Sequence, residues 1–274
     1  MSETEVAHVV VLGSGQDAGA PQFGGPPVEI TRTASSLLVT SPSGTSYLFD
    51  ASPDIRTQSE RNTFDPHRLG GVFLTHAHMG HYLGLAHFGN EAAATASVRC
   101  FGTASMHAFL TRNEPWRALF TRRHLEFGVL VPGVDVPFDE SLTITAHLVP
   151  HRPDFTDTVG YVVTNRKTQG SMLYLPDIDA WDQWPDARRI VDSTTLAFLD
   201  ASFSSGAELP GREIADFPHP LVSDTIAQFD TSPGQIVLTH INHSNPLGTV
   251  GADATDMAAR AGFLIAADGD RYEF

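Results

Sequence analysis

With 274 residues, 41% of them hydrophobic and 18% charged, the chain has ample apolar material for a packed core and lacks the polar bias of a disordered segment. Seventeen Lys plus Arg against 32 Asp plus Glu leave a net charge of −15 with His neutral. That field repels phosphate backbones and anionic lipid and argues against nucleic-acid or membrane-surface partners. No apolar run approaches the roughly 18 residues that cross a bilayer, and nothing resembles a signal peptide, so a cytoplasmic location is expected. Cys100 is the single cysteine, which excludes intramolecular disulfides and cysteine-built zinc clusters.

The β-branched run over 7–12 predicts a first strand. Gly13, Gly15 and Gly19, then Pro21, Gly24, Gly25, Pro26 and Pro27, read as a long loop. The glycine spacing is not G-x-G-x-x-G and no matching helix follows, so no nucleotide cofactor is expected. Two short strands over 35–40 and 45–50 flank the turn Ser41-Pro42-Ser43-Gly44. Pro53 opens a polar helix to 61, and an apolar strand over 71–75 enters a histidine cluster.

Helical patterning returns over 81–96, then a strand over 98–101, a helix over 104–112 and a further turn from Pro115-Trp116. From 124 the pattern is β, with strands over 124–131, 136–138, 142–149, 158–164 and 171–175 read as successive antiparallel neighbours. The C-terminal third alternates again: helix 181–191, strand 195–199, helix 221–229, strand 235–239, helix 252–260 and a short closing strand. No repeat, Ser/Gly linker or charge block divides the chain, so 1–274 is read as one domain. Two β-rich halves with helices outside each predict an α/β (α+β) four-layer αββα sandwich, with two smaller α/β lobes as the alternative.

The chemistry concentrates in Thr75-His76-Ala77-His78-Met79-Gly80-His81, between an apolar strand and a helix. On extended chain His76 and His78 point to one side, and His81 at the helix start can turn toward them. Imidazole at this density, with no thiolate available, points to a metal held by His and carboxylate. Further candidates each follow a strand: His151, Asp177 and His240. Ligands delivered by separate strands to one edge fit the way α/β scaffolds place chemistry.

These residues resemble the metallo-β-lactamase-fold superfamily, whose first metal motif is His-X-His-X-Asp-His after a strand. The resemblance covers nearly the whole chain and implies a first metal position of His76, His78 and His151, a second of His81 and His240, and Asp177 bridging. Leu12-Gly13-Ser14 with Pro21-Gln22, Asp50-Ala51-Ser52-Pro53-Asp54 and Thr239-His240-Ile241-Asn242-His243-Ser244-Asn245-Pro246 are similar to the branch of pyrroloquinoline quinone biosynthesis protein B. Two departures stand out. Phe23-Gly24-Gly25 replaces cysteines of an accessory zinc site, and Gly80 stands where the motif has its aspartate. The second position then relies on His81, His240 and Asp177 unless water, Asp54 or His243 fills in, and Gly80→Asp should tighten it if the space beside the glycine is open.

His219, in Pro218-His219-Pro220 after a long connection that could close over the site, is placed like a catalytic histidine of superfamily nucleases, and His243 is a second candidate. Asp54 at a first helical turn fits a helix dipole as well as a site. His87 and Glu91, one helical turn apart, read as a polar helix face. The expected activity is a metal-dependent hydrolase acting through activated water on a small ester, lactone, amide or phosphodiester, with Asp177, His219 and His243 as catalytic candidates. One or two divalent ions are expected, zinc first, with iron or manganese as alternatives. A small-molecule substrate is the expected partner. The resemblance also implies a metal (iron)-dependent oxidoreductase related to the quinone-biosynthesis branch, or a non-catalytic metal-binding protein should Gly80 disable catalysis.

Overall fold

The computed structural model describes residues 5–208 and 218–274. The connection before His219 thus lies in part outside the described residues. Strands β1 (His8–Gly13), β2 (Ser36–Thr40) and β3 (Ser46–Phe49) form an antiparallel meander. Helices α1 (Ile55–Asn62), α2 (Met79–Tyr82), α3 (Ala104–Arg112) and α4 (Trp116–Thr121) accompany β4 (Leu69–Phe73), β5 (Val98–Gly102) and β6 (Leu125–Val129), which extend the sheet in parallel from β3. The expectation that the strand near 124–131 belongs to an antiparallel run is therefore corrected. Parallel pairing needs a crossover, and α3 and α4 supply it between β5 and β6.

The second sheet begins antiparallel with β7 (Asp135–Pro137), β8 (Leu142–Val149), β9 (Thr158–Asn165) and β10 (Ser171–Leu175). It continues in parallel through β11 (Leu196–Asp200), β12 (Gln235–Thr239) and β13 (Leu264–Ile265), with α5 (Ala187–Asp192), α6 (Val222–Phe229) and α7 (Asp253–Arg260) between them. The last strand, β14 (Arg271–Glu273), returns to pair with β1, so each sheet has seven strands among the described residues.

Two predicted helices are shorter than their patterns. Over 81–96 the α-helix stops at Tyr82 and a 3-10 helix, Leu83–Phe88, follows. Gly84 here lies against the chain after β3, donating to the Ala51 carbonyl at 2.8 Å, and a Cβ on it would fall 2.3 Å from the Ser52 oxygen. Over 181–191, Pro185 separates the 3-10 turn Trp181–Gln183 from α5, because the residue before proline is driven to extended backbone. Trp184 has φ −113° and ψ 90°.

Three apolar layers hold the αββα stack together. The central one contains Val9, Leu37, Phe49 and Phe73 from the first sheet and Tyr161, Tyr174, Phe198 and Val237 from the second. Phe49 stacks on Phe73 at 5.0 Å and meets Tyr161 edge-on at 5.8 Å. Each fully buried side chain of this kind contributes about 1.5–3 kcal/mol. The outer layers pack α1 to α4 on one sheet and α5 to α7 on the other.

The central layer also reaches the functional edge. The Tyr161 hydroxyl donates to the Leu74 carbonyl at 2.6 Å, the Tyr174 hydroxyl donates to Asp50 at 3.2 Å, and the Val159 N–H donates to the Thr75 carbonyl at 3.1 Å. Parallel strands β3, β4, β10, β11 and β12 end at this edge. No helix among the described residues is long and apolar enough to cross a membrane.

Candidate metal centre

His78 caps the N-terminus of α2 in extended backbone (φ −78°, ψ 146°) and the His81 N–H donates to its carbonyl at 3.0 Å. The first helical turn thus swings His81 back beside the extended His76 and His78. His76 Nε2 lies 2.9 Å from His78 Nδ1, and His151 Nε2, arriving after β8, lies 3.2 Å from the same His78 nitrogen. Asp177, after β10, reaches between the groups. Its Oδ1 is 3.5 Å from His151 Nε2, and its Oδ2 is 3.0 Å from His81 Nε2 and 3.1 Å from His240 Nε2. The six expected ligands are all brought together.

Where the protons sit decides what these contacts mean. The outward nitrogen of each ring faces an oxygen able to accept its N–H: Thr75 Oγ1 for His76 (3.0 Å), Asp154 for His78 (3.3 Å), Asp50 for His81 (2.7 Å), Asp179 for His151 (2.9 Å) and Ser202 Oγ for His240 (2.9 Å). Thr75 and Ser202 can accept because their own hydroxyls donate to Asp50 and Asp200. With the outer positions protonated, the inner nitrogens present lone pairs to one another, an arrangement that stabilises a shared cation and is otherwise repulsive.

The buried atoms His81 Nε2, His240 Nε2, Asp177 Oδ2 and Asp17 Oδ1 have no hydrogen-bond partner, although His81 and Asp17 come within 3.2 Å. Buried polar atoms are rarely left so, and a divalent ion held among them would satisfy all four. His and carboxylate donors of this kind suit zinc, iron or manganese.

Electrostatics favour the same reading. Burial pushes the His76 imidazole well below its ordinary value, with His81 adding to the effect, and burial likewise lowers His78 and His240 against the pull of Asp177. These rings are neutral and ready to ligate. Burial alone would raise the Asp177 carboxyl, but His240, His151 and His81 outweigh it and hold it well below the carboxylate range. Burial would lower His81, yet Asp50, Asp17 and Asp177 together hold it well above its ordinary value. That point of the site therefore favours positive charge, a demand that a metal would meet in place of the proton.

Two of the left-handed non-glycine residues, Asp50 at φ 58° and His240 at φ 59°, directly follow β3 and β12. Non-glycine residues take this conformation at a cost of order 1–3 kcal/mol, commonly at functional sites. His219 is buried beside the cluster, its Nδ1 donating to Asp200 at 2.7 Å and standing 3.9 Å from Asp177. Burial would lower this ring, but Asp200 outweighs it and raises the pKa.

Other candidates lie apart. His243 lines a separate cavity with Ala20, Glu29, Arg32 and Asn245 and joins none of the converging groups. Asp54 accepts from the Ala34 N–H at 2.9 Å, a structural task. His87 and Glu91 are exposed on the surface. Neither substitute proposed for the missing aspartate reaches the cluster.

Asp50, Asp200, Asp179 and Asp17 were not among the residues expected here. Asp50 and Asp200 share a signal with the ligands, an acidic residue at the end of a strand, which would have found them. Asp17 carries none, being one acid in a glycine-rich loop.

The comparisons with known proteins agree with this fold. Residues 45–270 match the family described as a beta-lactamase superfamily domain. Coenzyme PQQ synthesis protein B of Ruegeria pomeroyi is 25% identical over 95% of this chain and 98% of its own, and that of Methylococcus capsulatus 25% identical over 87% and 86%. Among solved structures, Zn(2+)-bound PqqB from Methylobacterium extorquens superposes with a TM-score of 0.83 at 19% identity, covering 97% of this chain and 100% of that one. A diphosphatase of the PhnP family gives 0.73 at 22%, covering 98% and 97%. From the sandwich, the histidine edge and the family match together, this chain belongs to the metallo-β-lactamase superfamily and is similar to its coenzyme PQQ synthesis protein B branch.

Proposed function

We propose that the chain is a metal-dependent hydrolase acting on a small ester, lactone, amide or phosphodiester. The observation that carries the reading is the convergence: each ligand histidine has its outer ring nitrogen within hydrogen-bond reach of an oxygen, while the inner nitrogens of His76, His81, His151 and His240 face Asp177. His76, His78 and His151 would hold one ion, His81 and His240 a second, and Asp177 would lie between them with one oxygen toward each set. A bound divalent ion would supply Lewis-acid polarisation of the scissile oxygen and a water acidified toward a pKa of about 7.

The chain's own groups supply the rest. Asp200 fixes the His219 ring by its Nδ1–H, which leaves Nε2 as the atom that exchanges a proton with the substrate's leaving group. The Gln16 amide stands 3.5 Å from that nitrogen. A net charge of −15 favours a small substrate over a nucleic acid.

The similarity to coenzyme PQQ synthesis protein B over nearly the whole chain favours a second reading, an iron-dependent oxidation, since the same donors suit iron. Metal analysis of protein purified without added metal, followed by aerobic and anaerobic turnover on a panel of small esters, lactones, amides and phosphodiesters, separates the two. Zinc with oxygen-independent hydrolysis is the expected result. Iron with oxygen consumption would replace hydrolysis by the second reading, and turnover that survives complete metal removal would refute both.

A further inference from the structure

The superfamily motif lacks its carboxylate at position 80 in this chain, and the space that carboxylate would need is taken. A Cβ built on Gly80 would lie 2.3 Å from Asp17 Oδ1 and 2.4 Å from Asp17 Cα. Gly80 has no left-handed backbone to justify a glycine, so the reason for it is close approach. The residue that approaches is itself an aspartate.

Asp17 arrives from a different part of the chain, the loop after β1, and that loop is firmly fixed. The Gly15 N–H donates to the Thr33 carbonyl at 2.8 Å, the Gln16 N–H to the Ile241 carbonyl at 3.0 Å, and the Gly19 N–H closes the turn onto the Gln16 carbonyl at 2.6 Å. Gly19 is left-handed at φ 67°, and a Cβ there would meet the Arg32 oxygen at 2.8 Å, so the tight turn requires glycine. The loop is thereby anchored directly beside His240. As a side chain Asp17 is 39% exposed, yet its Oδ1 is buried and unpartnered, 3.2 Å from His81 Nε2. Asp17, His81 and His240 form one convergent donor group.

We propose that Asp17 is the carboxylate ligand of the second metal position, supplied by the N-terminal loop in place of the motif's residue 80. The inference rests on the metal-dependent reading above and adds to it a complete second position: Asp17, His81, His240 and the shared Asp177. Gly80 is then the complement of Asp17 and not a lesion. It also reverses the expectation for Gly80→Asp, because the new side chain would have to displace the ligand already there.

The test is metal stoichiometry and affinity, read independently of turnover. Metal-free wild type titrated with Zn2+ should retain two equivalents. Asp17→Asn, isosteric with the native residue, should retain one tightly. Its affinity for the second ion should fall by at least about 100-fold, since losing a direct ligand exceeds the 10–100-fold cost of losing an outer partner. The metal-free variant should melt as wild type does. Gly80→Ala, which drives a methyl into the Asp17 position, should weaken the second ion and spare the first. Wild-type affinity for the second ion in either variant overturns the role of Asp17 while leaving the hydrolase reading in place, and so does a wild type that holds only one ion. A wild type that holds no ion removes the metal-dependent reading itself.

Discussion

The two halves of the candidate metal centre are built in opposite ways. The first, His76, His78 and His151, draws two of its three rings from one short strand-to-helix segment, and its inner nitrogens lie 2.9 and 3.2 Å apart. The second gathers His81, His240 and Asp17 from three distant stretches, and its carboxylate comes from a loop with no strand of its own. A position written in contiguous sequence can be read from spacing, whereas one assembled by close approach can be read only from the fold. The glycine at position 80, which looks in sequence like a missing ligand, is in space the opening that Asp17 fills.

The comparison breaks most severely if the first position proves dispensable. His78→Ala or His151→Ala should each remove the tightest ion, lowering its affinity by more than the about 10–100-fold typical of outer-partner loss, with activity abolished and only modest effect on folding. Mass-spectrometric metal content of the purified variants reads this directly, and wild-type stoichiometry would dissolve the assignment. Next in size, His219→Ala should lower turnover by about 10²–10⁴-fold, the range for loss of acid–base catalysis, with both ions still bound. Loss of metal in that variant would move His219 into the coordination sphere, and unchanged turnover would remove it from the chemistry.

A smaller effect sharpens the contrast between the halves. Asp50 accepts from His81 Nδ1 at 2.7 Å and also from Thr75 and Tyr174. Asp50→Asn should therefore weaken the second ion by about 10–100-fold and the first by less, which sequential titration can resolve. Equal weakening of both ions would show that Thr75 passes the effect on to His76. The smallest effect is expected at Cys100, which is fully buried on β5 with its thiol pushed up by burial. Thiol reagents and Cys100→Ala should leave metal content and turnover unchanged. Inactivation by such a reagent without loss of metal would mean that the histidine edge is not the whole mechanism.

Much of this architecture was legible in the sequence. The strands Leu142–Val149, Ser171–Leu175 and Gln235–Thr239 and the helix Ala104–Arg112 fall where apolar periodicity put them, because their burial follows their own pattern. The parallel partner of Leu125–Val129 was not legible, since a strand's neighbour depends on the crossover that precedes it and not on its own residues. The helix expected through 96 ended early for a similar reason: Gly84 is required by the chain passing over it.

At the site, the histidines announced themselves by density and Asp177 by its place after a strand. Of the acids that hold the rings, Asp50 and Asp200 carry the same type of signal more faintly. His243, three residues past His240, shows the limit of proximity in sequence. The chain turns after His240 at φ 59° and sends His243 into another cavity.

The central claim is that this edge holds two ions, one within each set of ligands. A crystal structure of the zinc-loaded protein with anomalous difference density measured at the zinc edge tests it most directly. Two peaks are expected, one enclosed by His76, His78 and His151 and one by His81, His240 and Asp17, with Asp177 touching both. A single peak, a second peak that Asp17 does not approach, or no peak at this edge would contradict it.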